Sequence, residues 1–313
     1  MRTVNRFSAC LILLIGAAWA TRDAAPAQST SVERRAQSAI VISIDGLRPD
    51  AIGPTHAPTL HDLVQRGTYC PVAQTVWPSN TLPAHTSMFT GLDVPKHGVL
   101  WKHYRPGYYN GETVFSVAKG AGFKTAMFYA KQKLNYLARP GTLDLVYGAQ
   151  PSATFHPDLS AAGVARQFER IWMQQHYDLV FIHIREPDRV GHLWGWMSGP
   201  YLRAVTVADQ AVREIVVTLK RARTWGKTLL VVTADHGGSG RQHSTQGRHE
   251  DRTIPWIAVG PGVPASKTLN RPVYIYDTAP TVLAFLGLRL GSDVDGRTIE
   301  EVLGADGSIS LSK

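Results

Sequence analysis

Cysteine is almost absent from this chain: of 313 residues only Cys10 and Cys70 carry a thiol. Cys10 opens an apolar N-terminal run, so a folded body without that run keeps Cys70 alone and has no internal disulfide. The position of Cys10 at the start of the run, rather than after it, also argues against lipid attachment there. Acidic residues are the second shortage: 24 Asp and Glu face 33 Lys and Arg, a formal net charge of +9. Such a balance suits nucleic acid, a membrane surface or an anionic small substrate. No dense Lys/Arg run follows the first 40 residues, which speaks against nucleic-acid binding beyond a nucleotide substrate. Long hydrophobic stretches are missing too. Ala9 to Ala20 is too short for a comfortable membrane span. With Arg2 and Arg6 before it, and Ala18-Trp19-Ala20 or Ala25-Pro26-Ala27 to end it, residues 1–27 are expected to be an export signal. Residues 28–38 then read as a flexible lead-in and 39–313 as a single catalytic domain. Export without disulfides fits a periplasmic or secreted protein. There is no internal repeat and no low-complexity block, and 44% apolar with 18% charged residues suits a soluble globular core.

What is present is an alternation of apolar β-branched runs and helical periodicity. Ala39 to Ile44 reads as a central strand ended by Asp45-Gly46, and Ala57 to Arg66 as a helix stopped by Gly67. Ser79, Asn80 and Thr81 are helix-capping residue types ahead of a helical pattern that runs to Gly91, so Thr81 is expected near a helix N-terminus, where free N–H groups favour anions. Helices are expected at Glu112 to Lys119, Ala161 to Gln175, Tyr201 to about Arg223 and Asp277 to Leu286. Strands are expected at Lys124 to Tyr129, Tyr177 to Ile184, Thr228 to Ala234 and Trp256 to Val259. The alternation predicts an α/β fold with a mostly parallel sheet.

Three strand ends carry acids: Asp45, then Asp188 with His192, then Asp235 with His236. Singly, a strand-end Asp reads as a cap or turn residue and a His as a hydrogen-bonded structural group. Open α/β sheets gather ligands at the carboxyl ends of their strands. If the three ends converge, mixed carboxylate and imidazole donors suit zinc or manganese better than calcium or magnesium.

The set Ile44-Asp45-Gly46, Thr81-Leu82-Pro83-Ala84-His85, Glu186-Pro187-Asp188-Arg189-Val190-Gly191-His192 and Ala234-Asp235-His236-Gly237 resembles the alkaline phosphatase superfamily. It is most similar to the type I phosphodiesterase/nucleotide pyrophosphatase branch. The resemblance implies a three-layer α/β sandwich holding two divalent ions, usually zinc, with Thr81 as nucleophile. Matched motif by motif, Asp45, Thr81, Asp235 and His236 would surround one ion, and Asp188, His192 and a later histidine the other. Both His243, just after the Asp-His-Gly-Gly turn, and His249, before the next strand, are candidates, with His243 favoured. The implied chemistry is hydrolysis of a phosphodiester or nucleotide pyrophosphate through a covalent phospho-threonine. A phosphomonoesterase is the nearest alternative, and a non-catalytic metal-stabilised binding protein a more distant one. Superfamily sulfatases carry Cys or Ser followed by x-Pro-x-Arg; here Thr81 leads a motif that ends in His85, which points to phosphorus rather than sulfur esters.

Where relatives carry an Asn after His97-Gly98-Val99, this chain has Lys102 in Leu100-Trp101-Lys102-His103-Tyr104. Lys102 reads either as a point-charge phosphate clamp favouring the more charged monoester or as a solvated lysine. Trp77, Trp101, Tyr104, Trp194 and Trp196 flank the motifs, and each serves either packing or stacking on a nucleobase or aryl group. Lys131 and Lys133 are expected to face solvent, with an anionic substrate as the alternative.

Overall fold

A computed structural model describes residues 34–149, 158–291 and 293–304. The expected export signal and the first part of the lead-in lie outside these residues. The end of the lead-in is not loose: Arg35 and Ala36 donate N–H bonds to the Phe285 carbonyl and Gln37 donates to Lys227 O, with Ala36 buried.

The strands are β1 (Ser38–Ile44), β2 (Thr68–Gln74), β3 (Thr125–Tyr129), β4 (Leu145–Gly148), β5 (Leu179–Ile184), β6 (Thr228–Thr233), β7 (Thr253–Val259) and β8 (Lys267–Thr268). The α-helices are α1 (Pro58–Arg66), α2 (Thr81–Thr90), α3 (Val94–His97), α4 (Val114–Gly120), α5 (Ala161–Trp172), α6 (Glu186–Trp194), α7 (Gly199–Arg221), α8 (His249–Arg252) and α9 (Thr278–Phe285). All eight strands form one sheet in the order β4-β3-β5-β1-β6-β7-β2-β8. Among the described strands β7 alone is reversed, antiparallel to both β6 and β2. The mostly parallel α/β expectation holds.

The three central strands explain themselves. β1, β5 and β6 are apolar and largely β-branched, and every residue in them is buried. A run buried on both faces is what a parallel sheet covered by helices demands. Each fully buried Ile, Val or Leu contributes about 1.5–3 kcal/mol relative to exposure. The helices supply the cover. Ala161, Val164, Ala165, Phe168 and Trp172 form the buried stripe of α5 at helical spacing. α1, α5 and α6 pack on α7, while α2, α4 and α9 pack together, which completes a three-layer sandwich.

The register decides where the chemistry goes. Ser43 of β1 pairs with His183 of β5 on one side and with Thr233 of β6 on the other. The three neighbouring strands therefore end level, and the residues that follow them leave the sheet at one edge. β2, β4, β8, α3, α6 and α8 are absent from the sequence expectation. Thr68–Gln74 carries Pro71 and mixes buried Thr68, Cys70 and Ala73 with exposed Val72, which hides a strand signal. α6 corrects the reading of Glu186-Pro187-Asp188 as a strand end: it is the first turn of a helix, with Pro187 and acids at its start and Gly195 after it.

Candidate metal centre

Asp45 lies one residue past β1, Asp235 two past β6, and Asp188 in the first turn of α6, all buried. Two hydrogen bonds lock the ends together: Asp188 N–H donates to the Asp45 carbonyl at 2.9 Å, and Gly46 N–H donates to the Asp235 carboxylate Oδ1 at 3.1 Å. Gly46 has φ +73°, and a Cβ there would stand 3.0 Å from Asp188 Cα. Its carbonyl accepts from Trp196 Nε1 at 2.8 Å and from the Tyr201 hydroxyl at 2.9 Å. Trp196 thus anchors the Asp45-Gly46 turn rather than offering a stacking surface. Trp77 and Trp194 are exposed, and half-buried Trp101 packs edge-on against Tyr136.

Gly237 and Gly238 follow Asp235-His236 where the chain is crowded. A Cβ on Gly237 would stand 2.0 Å from Glu250 O, and one on Gly238 2.2 Å from the Trp196 ring. Close approach, not a left-handed conformation, requires glycine here. The segment beyond brings His243 back over the site. Buried Asp251 holds it, accepting from Ser239 Oγ at 2.7 Å and Thr245 N–H at 2.8 Å.

Three imidazoles face the carboxylates in the same way. Nδ1 of His192, His236 and His243 lies against the carbonyls of Arg241 (3.0 Å), Gly237 (2.8 Å) and Ser79 (2.7 Å). A carbonyl can only accept, so each Nδ1 carries a proton, and in the neutral ring each Nε2 presents a lone pair to the carboxylates. His192 Nε2 is 3.3 Å and His243 Nε2 3.8 Å from Asp188 Oδ1. His236 Nε2 stands 3.4 Å from both Asp45 Oδ1 and Asp235 Oδ2. The His236 and His243 rings stack at 3.7 Å. Backbone carbonyls that fix a ring's tautomer and direction are the usual outer support of a metal-binding histidine.

Four of these inward atoms, Asp45 Oδ1, Asp188 Oδ1, Asp235 Oδ2 and His236 Nε2, are buried with no hydrogen-bond partner. All four are acceptors or lone pairs. Buried acceptors facing one another are costly unless a cation lies between them. The donor atoms form two overlapping groups, Asp45 with Asp188 and His236, and Asp188 with His192 and His243, each within 4.8 Å of one another. The residues fit divalent ions with mixed oxygen and nitrogen donors. His249 is exposed and borders a surface hollow with Trp77, Arg248 and Arg252, outside both groups.

Thr81 opens α2 and is buried. Lys131, expected in solvent, is the cation that the site supplies itself: its Nζ is 2.7 Å from Asp45 Oδ2, 2.7 Å from Asp188 Oδ2 and 3.2 Å from Thr81 Oγ1. Burial would push this ammonium down, but Asp45, Asp188 and Asp235 hold it above the usual lysine range. Burial likewise raises the Asp45 carboxyl, and Lys131 with His183 more than reverses that, keeping it well below the ordinary carboxylate range. Asp235 is pushed up by burial and then by Asp45. His243 is held neutral, its pKa pushed down to about 3 by burial and by His236.

Two buried histidines hold roles that the sequence did not assign to them. His183 Nδ1 accepts from Ala130 N–H at 3.3 Å, so its Nε2–H donates to Asp45 Oδ2 at 2.8 Å. His85 bridges Thr81 O (2.7 Å) and Ser43 Oγ (2.9 Å), tying α2 to β1. A histidine inside an otherwise apolar strand, Phe181-Ile182-His183-Ile184, was the available signal. Lys102 is exposed and makes no hydrogen bond or ion pair among the described residues.

The sequence profile described as type I phosphodiesterase/nucleotide pyrophosphatase matches residues 39–251. The venom phosphodiesterase of Crotalus durissus collilineatus is 24% identical over 222 residues, covering 63% of this chain and 26% of that protein. Human ectonucleotide pyrophosphatase/phosphodiesterase family member 1 is 24% identical over 220 residues, covering 63% and 23%. The chain thus spans about a quarter of the length of these curated relatives. Among solved structures, murine ectonucleotide pyrophosphatase/phosphodiesterase 5, in an inactive form complexed with AMP, superposes with TM-score 0.67 at 16% identity, covering 83% of this chain and 97% of that one. A phosphonate monoester hydrolase from Silicibacter pomeroyi gives 0.66 at 17% identity, covering 85% and 76%. These likenesses show the alkaline phosphatase-like fold. No helix among the described residues is long and apolar enough to cross a membrane.

Proposed function

The chain belongs to the type I phosphodiesterase/nucleotide pyrophosphatase family, and from that premise we propose that it is an exported hydrolase of phosphodiester or nucleotide pyrophosphate bonds that uses Thr81 as nucleophile. The observation that carries this reading is the convergence of four unpartnered buried donor atoms beside a threonine at a helix N-terminus. Asp45, Asp235, His236 and Thr81 would hold one divalent ion, most simply zinc, and Asp188, His192 and His243 the second. When bound, such ions supply positive charge that lowers the pKa of a coordinated hydroxyl and offsets charge on phosphoryl oxygens.

The chain's own residues do the remainder. Thr81 Oγ, losing its proton to solvent, forms a bond to phosphorus as the bond to the leaving alkoxide, aryloxide or phosphate breaks. Water then attacks phosphorus and returns the threonine hydroxyl. The free N–H groups of the first turn of α2 favour the transferred group's oxygens. His183 and the Nδ1–carbonyl bonds of His192, His236 and His243 hold the donor set in place, so little reorganisation accompanies the reaction. Lys102 is assigned to an anionic substrate group, and sets the preference between monoester and diester.

The test is turnover of bis-nitrophenyl phosphate, nitrophenyl phosphate and a nucleotide pyrophosphate by zinc-loaded protein, beside Thr81→Ala and Lys102→Asn. Acid quenching during turnover should trap phosphate on the peptide containing Thr81. A Thr81→Ala protein that keeps its turnover removes the nucleophile assignment. An unchanged monoester-to-diester ratio in Lys102→Asn removes the role of Lys102.

A further inference from the structure

We propose that Lys131 is a catalytic residue: a third cation of the site, fixed by the fold, that stabilises the Thr81 oxyanion during attack and departure. The proposal rests on Thr81 being the nucleophile. Lys131 Nζ is the only side-chain donor to Thr81 Oγ1 among the described residues, at 3.2 Å, and it reaches that oxygen while bound to two carboxylates.

Three features separate this lysine from a surface lysine that happens to find an acid. Its backbone is pinned: Ala130 N–H donates to His183, Arg185 donates to Ala130 O at 3.4 Å, and Leu134 and Leu137 of the following turn are buried. Its side chain is only 18% exposed, which makes a charge-assisted bond worth more than one in water. Most tellingly, it takes the Oδ2 oxygens of Asp45 and Asp188, whereas the atoms left unpartnered are the Oδ1 oxygens. Ammonium and divalent ions therefore use different oxygens of the same two carboxylates and can occupy the site together. Three buried carboxylates, Asp45, Asp188 and Asp235, hold the ammonium there.

The chemistry balances without Lys131 changing its protonation. The threonine proton leaves to water, the P–O bond to Thr81 forms as the leaving-group bond breaks, and the ammonium donates one hydrogen bond throughout. That bond strengthens as negative charge builds on Oγ, so its loss appears in kcat rather than KM.

The experiment compares Lys131→Met and Lys131→Gln with the parent protein and Thr81→Ala, by kcat and KM for bis-nitrophenyl phosphate and by zinc affinity in competition with a chelator. Loss of one preorganised charged donor predicts a fall in kcat of about a hundredfold with KM held within about threefold. Zinc affinity should stay the same or tighten by up to about tenfold, because a neighbouring positive charge has been removed. A kcat within about threefold of the parent, with Thr81→Ala dead, overturns the proposal alone. So does zinc binding that weakens in step with kcat, which would make Lys131 a prop for the carboxylates. An active Thr81→Ala would instead fail the nucleophile reading on which the proposal stands. Should Lys131→Met fail to fold, Lys131→Gln, neutral but still polar at its tip, carries the same criteria.

Discussion

Replacing Gly46 with alanine isolates the backbone geometry that draws the carboxylates together. Gly46 sits at φ +73°, where an L side chain is strained by about 1–2 kcal/mol. The new methyl would also stand 3.0 Å from Asp188 Cα, 3.1 Å from its Cβ and 3.2 Å from its N. These are backbone and near-backbone atoms that cannot swing aside, so overpacking adds about 1–3 kcal/mol. Reduced freedom of the unfolded chain returns about 0.4–1 kcal/mol. The net cost is about 1–4.5 kcal/mol, and at roughly 2–4 °C per kcal/mol for a domain of this size the melting temperature falls by about 2–18 °C. Relief comes by moving Asp188 away from Asp45, the two residues joined by the 2.9 Å backbone bond. Zinc affinity should therefore fall with stability, where a defect remote from the site would change stability alone. Urea unfolding of the zinc-free protein and chelator competition measure the two effects. Gly53→Ala is the internal control, since a Cβ there meets nothing within 4 Å and its backbone is not left-handed. If Gly46→Ala matches Gly53→Ala within about 0.5 kcal/mol and binds zinc like the parent, the account of the turn is wrong.

Three further outcomes follow from the same geometry. His243→Ala should bind one zinc fewer than the parent and His249→Ala should bind the full number, as counted by mass spectrometry under native conditions; the reverse result would exchange their roles. Chelating divalent ions should lower the melting temperature, and free zinc at about 100 times its Kd should restore about 2.7 kcal/mol, so a melting curve indifferent to both would argue against bound metal. His97 is kept neutral by burial, its pKa pushed down to about 4, with Val99 N–H donating to its Nδ1 at 3.0 Å. A base depressed below its unfolded value of about 6.5 contributes fully above that pH and loses its contribution as pH falls towards about 4, by at most about 1.4 kcal/mol per pH unit. His97→Asn should accordingly be destabilising near neutrality, with a deficit that shrinks on acidification across that window. A deficit constant with pH would refute the linkage.

Much of this protein was legible without coordinates, for identifiable reasons. Strands buried on both faces need uninterrupted apolar runs, so Ala39 to Ile44, Tyr177 to Ile184 and Thr228 to Ala234 announced β1, β5 and β6, and helical pattern announced α5 and α7. The same logic explains what was hidden. β2 and the two-residue β8 are weakly patterned, and α6 begins at an acid-rich Pro turn that reads equally well as a loop.

Sequence alone determined the candidate donors and their order along the chain: Asp45, Thr81, Asp188 with His192, Asp235 with His236. Residue chemistry and motif spacing are local properties, and they survive without a third dimension. Tertiary structure alone could decide which groups share one space, because sheet order, not chain order, sets β1 between β5 and β6. That arrangement lays Asp45, Asp188 and Asp235 at one edge and draws His243, not His249, over them. It also turns Lys131 inward. Nothing in Tyr129-Ala130-Lys131-Gln132 marks a lysine bound to two carboxylates and a threonine; the neighbouring ends of β3, β5 and β1 do.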